Sequence, residues 1–309
     1  EINMHCIDPR RFGAYANPDY TRAKSFDDYE NMFETPLPGR EIHAGRPNRV
    51  TPLYEPLRAK GAVYTEVYGW ERPKYFAPAG FKEKLQYRRN NVFDIVAEEC
   101  RAVRERVGIM DLSSFAKFDV SGPGAEALLD RLTANKLPRK ANGINLTHVL
   151  SENGRIEGEW TITRFADDRF YVLSGAGTER MALDQLTMAA GGDVTIANVT
   201  DNYGMLVVAG PKARDVLAPL TDADLTSAGF RWLSGQEITI ADVPVRALRV
   251  NYVGELGWEL HAPMAELATL YDAIWAAGQD HGIADFGVHA VNSLRMEKGY
   301  RGYGAELTN

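Results

Sequence analysis

The sequence predicts an α+β fold with antiparallel sheets, arranged as two related subdomains. An internal echo is the first observation behind this. Val120–Ser121–Gly122–Pro123 leads into Ala125–Glu126–Ala127–Leu128–Leu129 and Leu132–Thr133. Later, Val208–Ala209–Gly210–Pro211 leads into Ala213–Arg214–Asp215–Val216–Leu217 and Leu220–Thr221. In each copy a strand turns at Gly, and Pro takes the first helical position, where its missing N–H leaves no bond unmade. The second observation lies between the copies. Trp160–Thr161–Ile162–Thr163 and Phe170–Tyr171–Val172–Leu173 read as a hairpin of β-branched and aromatic residues. A recurring order of strand, helix, strand, strand is what a repeated α+β unit requires.

The remaining elements follow in chain order. Ile2, Met4 and Cys6 alternate as in a strand. Residues up to about 50 read as irregular, with a charged helical stretch and a link rich in Pro36, Pro38, Gly39, Gly45 and Pro47. Residues 64–75 gather Tyr64, Val67, Tyr68, Trp70 and Tyr75, broken by Arg72–Pro73, which is strand and turn. Residues 94–107 place Ile95, Val96, Cys100, Val103 and Val107 at helical spacing, with a stop at Gly108. Residues 181–188 belong to a further helix, and residues 245–250 to a strand.

Composition narrows the function. With 45% hydrophobic and 25% charged residues, 309 residues can bury a full core as one large domain or two ordinary ones. No apolar run approaches the roughly 20 residues that span a bilayer, so no membrane is expected. A formal charge of −7 without a Lys/Arg block argues against a nucleic-acid partner. Cys6 and Cys100 stand far apart and form neither a disulfide framework nor a metal knot. A reducing compartment suits them: the cytoplasm, or the mitochondrial matrix in a eukaryote. The chain starts at Glu1 without a Met and stops at Asn309 without a helix stop, so it reads as an internal piece of a longer protein.

Several chemistries lack their motifs. No G-x-G-x-x-G opens a βα unit, and no G-x-S-x-G elbow is present. His5, His43, His148, His261, His281 and His289 show no metal spacing, and no metal is expected. The two Gly-Pro turns resemble phosphate loops only superficially, since no Lys-Ser/Thr follows and Pro removes a donor.

Three clusters remain. Glu157 and Glu159 alternate with small or apolar residues in a turn feeding a strand, and point to one face. An acid at a strand's lip can exchange a proton with a ligand amine, but an exposed edge-strand acid has the same spacing. Tyr252, Gly254–Glu255 and Gly257–Trp258–Glu259 follow a strand. There glycines let backbone approach a flat ligand, and a carboxylate can accept two donors from a pterin edge. A glycine-rich hairpin with solvated acids fits that stretch equally. Asn292, Arg295 and Glu297–Lys298–Gly299 end a helix. Arg295 can meet a ligand carboxylate or pair with Glu259, or serve only as the basic residue a helix C-terminus favours.

Taken in order, these stretches resemble the glycine-cleavage T-protein. Thr51–Pro52–Leu53–Tyr54–Glu55 with Gly69–Trp70 is similar to its opening, and Val107 to Ser113 to the exit of its first helix. Tyr252-x-Gly-Glu-x-Gly-x-Glu259 and Arg295-x-Glu-x-Gly299 resemble its folate motifs. Ile7–Asp8–Pro9–Arg10–Arg11–Phe12, Ala44–Gly45–Arg46–Pro47 and Gly69–Trp70–Glu71–Arg72–Pro73 resemble the dimethylglycine and sarcosine dehydrogenase branch. The resemblance implies a T-protein-like folate-binding fold, divided as a flavin-domain tail and linker (1–50), a central region (51–90) and a folate-binding domain (91–309). Most of the flavin domain and a closing C-terminal barrel would be missing. It implies FAD in that missing domain and tetrahydrofolate here, with a small N-methyl amine as substrate and 5,10-methylenetetrahydrofolate as product. Carried over, Tyr252 lines the folate pocket, Glu259 clamps the pterin, Arg295 is the basic partner and Leu173 an apolar wall. Glu159 stands where the T-protein has its proton-handling aspartate, one methylene longer and with Gly158 for an acidic neighbour. The pocket tyrosine of the T-protein falls at Leu146. Two other readings stay open: a folate-binding module without chemistry, and a methyltransferase that passes a methyl group directly to tetrahydrofolate.

Overall fold

The computed structural model describes residues 7–307, so the strand expected at Ile2–Cys6 lies outside the described residues. The α+β architecture is observed, and the duplication organises it. The first copy runs β4 (Ala116–Ser121), α4 (Ala125–Leu132), β5 (Ile144–Leu150), β6 (Ile156–Ala166), β7 (Arg169–Ser174), α5 (Glu179–Ala189) and β8 (Thr195–Asn198). The second repeats it as β9 (Tyr203–Ala209), α6 (Ala213–Leu217), β10 (Gly235–Ile240), β11 (Val243–Leu248), β12 (Gly257–Pro263), α7 (Leu267–Ala277) and β13 (Ile283–Asp285). The first sheet is ordered β5-β6-β7-β4-β8. The second is β10-β11-β12-β9-β3-β13, the same order with β3 (Val107–Asp111) inserted before its last strand. β3 runs antiparallel to β9 and parallel to β13, so β13 keeps the direction relative to β9 that β8 has relative to β4.

The remaining elements flank this pair. α1 (Pro18–Asn31) falls in the leading stretch that reads as irregular, and its Asn17 cap accepts from the N–H of Tyr20 at 2.9 Å. α2 (Tyr54–Ala59) and the hairpin of β1 (Ala62–Val67) and β2 (Trp70–Phe76) bury Leu53, Leu57 and Ala62 in the core of the six-stranded sheet. Pro73 does not break β2; it lies opposite Tyr64, beside a register shift that tolerates its missing donor. α3 (Phe93–Glu105) stops short of the expected Gly108, because Val107 and Gly108 are drawn into β3. α8 (Val288–Glu297) packs Ala290 and Leu294 beside Val103 of α3. Among the described residues no helix is long and apolar enough to cross a membrane.

The Gly-Pro turns correct one expectation. α4 begins at Ala125 and α6 at Ala213, so Pro123 and Pro211 stand before their helices. Each is the second residue of a β-turn closed by Ala125 N–H to Gly122 O and Ala213 N–H to Gly210 O, both 3.0 Å. Proline's fixed φ suits that position as well as it suits a helix start. Gly122 and Gly210, at φ +115° and +133°, are the residues these turns need.

The two sheets face each other across a mixed layer. Outer faces bury Trp160, Ile162, Phe170 and Val172 under the first copy's helices, and Trp258 and Leu260 under the second's. Inner faces bring Tyr171, Leu173 and Ile144 of the first sheet against Leu248 of the second.

Candidate functional site

Strand alternation decides what enters that layer. On β12, Glu259 and His261 point inward because Trp258 and Leu260 fill the outer core. On β4, Phe118 and Val120 take the outer face, which turns Lys117 and Asp119 inward. Lys117 is the cross-strand partner of Leu173, and Leu173 that of Thr161. Glu259 is the partner of Leu248.

Glu259 lies deep in the layer, yet 16% of its side chain remains exposed. No described residue gives its carboxylate a hydrogen bond, and His261 Nε2 stands 3.8 Å from Oε2. Burial pushes the Glu259 carboxyl up to about 8, against the pull of Lys117. The His261 imidazole is wholly enclosed, and burial, Lys117 and Arg246 hold it neutral. The Tyr171 hydroxyl and His261 Nδ1 stand 3.2 Å apart, within hydrogen-bond reach. His261 Nε2 is a buried atom with no hydrogen-bond partner among the described residues, on the Glu259 side.

Lys117 is also wholly buried, and its ammonium donates to the carbonyls of Ser113 and Phe115 at 2.7 Å each. Burial pulls it down to about 7, opposed chiefly by Asp111. Asp111 accepts from Thr51 Oγ1 (2.6 Å) and from the hydroxyl and N–H of Ser113 (2.6 and 3.0 Å).

Glu159 occupies another part of the same inner face of β6, two residues before Thr161. β6 lies between β5 and β7, so the edge-strand reading of this acid does not hold. The side chain is half-buried and meets its cross-strand neighbour His148, with Nε2 and Oε2 3.2 Å apart. Burial raises the Glu159 carboxyl, while His148 lowers it. Leu146 shares this face of β5 and is 51% exposed.

Tyr252 stacks on Tyr300, with centroids 6.1 Å apart and planes at 17°. Its loop is shaped by Asn251, whose Oδ1 accepts from the N–H groups of Val253 and Gly254 at 3.1 and 2.9 Å. Glu255 pairs with Lys298 at 3.1 Å, so the two glutamates of this motif part: one holds the loop to α8, the other enters the layer.

Arg295 is buried near the end of α8 but does not pair with Glu259. It forms a two-pronged ion pair with Glu306 (2.8 and 2.9 Å), and donates to Asn292 Oδ1 (2.9 Å) and to the Tyr300 carbonyl (2.9 Å). It therefore fixes the chain after α8 beside the Tyr252 ring, 5.8 Å away. The structure thus places Glu259 and Leu173 in the interlayer, Glu159 on the inner face of β6 against His148, and Tyr252 beside Arg295. A cleft of about 660 Å³ bounded by Phe12, Tyr15, Tyr20, Lys24, Glu66 and Tyr68 is lined by other residues altogether.

Sequence reasoning missed His148, His261 and Lys117. The histidines lacked metal spacing, and Lys117 with Asp119 has the alternation of a solvent-facing strand side. Only the second sheet, covering that side, makes them inward residues.

Comparison with known proteins agrees with the α+β fold. The model of the GCVT N-terminal domain matches residues 53–309, and that of the FAD dependent oxidoreductase central domain matches residues 1–51. Mitochondrial dimethylglycine dehydrogenase of Mus musculus is 41% identical over 97% of this chain and 35% of its own length. Mitochondrial sarcosine dehydrogenase of Homo sapiens is 30% identical over 99% of this chain and 38% of its own. The chain thus spans little more than a third of these relatives. The glycine cleavage system aminomethyltransferase T of Bartonella henselae superposes with a TM-score of 0.67 at 25% identity, over 82% of this chain and 63% of that one. The chain belongs to the GCVT N-terminal domain family, with a match to the FAD dependent oxidoreductase central domain preceding that domain in the same chain.

Proposed function

We propose that this chain is the tetrahydrofolate-dependent one-carbon transfer module of a flavin N-methyl-amine dehydrogenase or oxidase, acting on dimethylglycine or sarcosine. The observation that carries the reading is Glu259: an acidic side chain deep in the layer, slightly exposed and without a hydrogen-bond partner among the described residues. A buried acceptor of that kind is costly unless a ligand supplies donors. The flat, donor-edged pterin of tetrahydrofolate fits it, with Leu173 and Leu248 as apolar walls.

In this reading Glu259 accepts the paired N–H groups of the pterin, and His261 holds the carboxylate's second flank. Tyr252, braced by Tyr300 and Arg295, borders the same ligand, and Arg295 acts by ordering this border. Bound tetrahydrofolate supplies the nucleophilic nitrogen that captures the one-carbon unit as 5,10-methylenetetrahydrofolate. Glu159 then handles the proton at that nitrogen: burial holds its carboxyl above the usual range, and His148 keeps it oriented. FAD belongs, in the same reading, to the flavin part of the whole protein, and no residue of this chain is assigned to it. Residues 1–50 connect to that part, 51–90 brace the six-stranded sheet, and 91–309 hold the folate.

Calorimetric titration of the protein with tetrahydrofolate tests the reading. Saturable binding abolished by Glu259→Ala is expected. No binding, with no methylene-folate formed from dimethylglycine or sarcosine, sinks it.

A further inference from the structure

An arginine does not shed its proton inside a protein, so a guanidinium that leaves water needs an opposite charge. The deeply set arginines of this chain obey that rule. Arg46 takes both oxygens of Glu71 (2.8 and 2.6 Å), Arg164 those of Glu126 (2.9 Å each), and Arg246 those of Asp119. Arg295 grips Glu306 in the same way, and Arg49 divides itself between Glu179 and Asp201.

Arg72 breaks the rule. It stands in the middle of β2, opposite Thr65 of β1. Its side chain has no hydrogen bond or ion pair among the described residues, and its Nε is a buried atom without a partner. Alternation puts Trp70 on the same face of the strand, and Trp70 Nε1 is a second buried donor left without an acceptor.

The acids of this stretch are already engaged. Glu41 accepts from Arg46 at 3.0 Å and stands 3.2 Å from the Lys74 ammonium. Glu71 is held by Arg46. Glu83 accepts from Lys74 (3.0 Å), the Tyr75 hydroxyl (3.1 Å) and Asn90 (3.2 Å). Burial pulls the Arg72 guanidinium down, and the charge that opposes this is Glu41, without contact.

We propose that Arg72 is a binding site for a small carboxylate-bearing molecule, held as the protein's own acids are held by its other arginines. The planar guanidinium matches the two oxygens of a carboxylate. A single unmet positive charge balances one negative charge, not the two of a phosphate. The inference is independent of Glu259 and of the folate reading.

Thermal melting of the protein titrated with sodium acetate tests it, with sodium chloride at equal ionic strength and inorganic phosphate as comparisons. The wild-type melting temperature is expected to rise and saturate with acetate, by about 3 °C at ten times the half-saturating concentration. Arg72→Met removes the unmet charge and keeps an apolar stem. In chloride it should melt about 2 °C above the wild type, and acetate should add no saturable rise. A variant that melts below the wild type and responds to acetate as the wild type does overturns the proposal, since Arg72 then serves only by packing. Absence of a saturable acetate rise in the wild type also overturns it. So does a phosphate rise, lost in the variant, as large as that with acetate. Should Arg72→Met fail to fold, Arg72→Gln keeps N–H donors, drops the charge, and must lose the acetate response as well.

Discussion

Arg246 on β11 grips Asp119 on β4 with two hydrogen bonds of 2.7 and 3.1 Å, joining the two sheets across their shared layer. The guanidinium also lies over the rings of Tyr171 and Tyr203, 4.6 and 4.5 Å from their centroids. Its planar, weakly hydrated charge suits this enclosed place better than an ammonium would. Asp119→Ala should strand that charge and cost about 2–3 kcal/mol, less than for a fully enclosed pair because Asp119 keeps some solvent. Thermal melting of the single variant and of Asp119→Ala/Arg246→Met measures it. The double variant should recover part of the loss, and a double variant as unstable as the sum of both singles would refute the clasp.

The raised Glu259 carboxyl makes a prediction with a definite sign. Its folded-state value, about 8, lies above its ordinary value of 4.5. The native state therefore holds a proton that the unfolded chain releases between pH 4.5 and 8, and stability falls as pH rises through that window. Glu259→Gln removes the titration. The ligand-free variant should match the wild type near pH 4.5 and exceed it by about 1–3 kcal/mol above pH 8, while losing folate affinity. Melting temperatures at pH 5 and 8.5 check this, and an equal difference at both pH values would contradict the assignment.

Glu159→Gln separates binding from chemistry. It keeps size and removes the exchangeable proton, so folate affinity should change less than about threefold. Methylene-folate formation in the whole enzyme should fall by a factor of roughly 10² or more, the usual weight of one general acid–base. Free formaldehyde should appear in its place. Unchanged partition between the two products would leave the chain as a folate-binding module only. His148→Ala should act in the same direction and more weakly, since it touches the proton only through Glu159.

How much of this was legible in the sequence follows from what each signal depends on. Strand, helix and turn identities are local, and the Gly-Pro echo showed the duplication before any sheet order was known. Inward and outward faces are not local. The alternation Ala116-Lys117-Phe118-Asp119 is that of a half-exposed strand, and only the second copy folding over the first turns its polar side into an interior. The same limit applies to Arg295. As the basic residue near a helix end it has several possible partners, and Glu306, eleven residues on, is selected by how the chain turns back after α8. The glycine-rich stretch was read with its acids together, whereas geometry separates them, Glu255 to Lys298 and Glu259 to the floor of the layer.

The duplication itself can be tested through its glycines. Gly122 and Gly210 occupy matching turns, and both lie in the left-handed half of backbone space, at φ +115° and +133°. A Cβ on Gly122 would stand 2.2 Å from the Asp193 carbonyl oxygen, and one on Gly210 would stand 2.5 Å from that of Arg106. In both, the obstacle is backbone, which cannot rotate aside as a side chain can. Gly154, at φ +75°, has nothing within 4 Å of an added Cβ. Gly154→Ala should therefore cost only the left-handed conformation, about 1 kcal/mol, whereas Gly122→Ala and Gly210→Ala should each cost about 3 kcal/mol or more. Denaturant unfolding of the three variants decides it. If the two turns are structural equivalents the paired losses agree within about 1 kcal/mol, and a Gly122→Ala protein as stable as Gly154→Ala would show that the first copy does not need the turn that the second does.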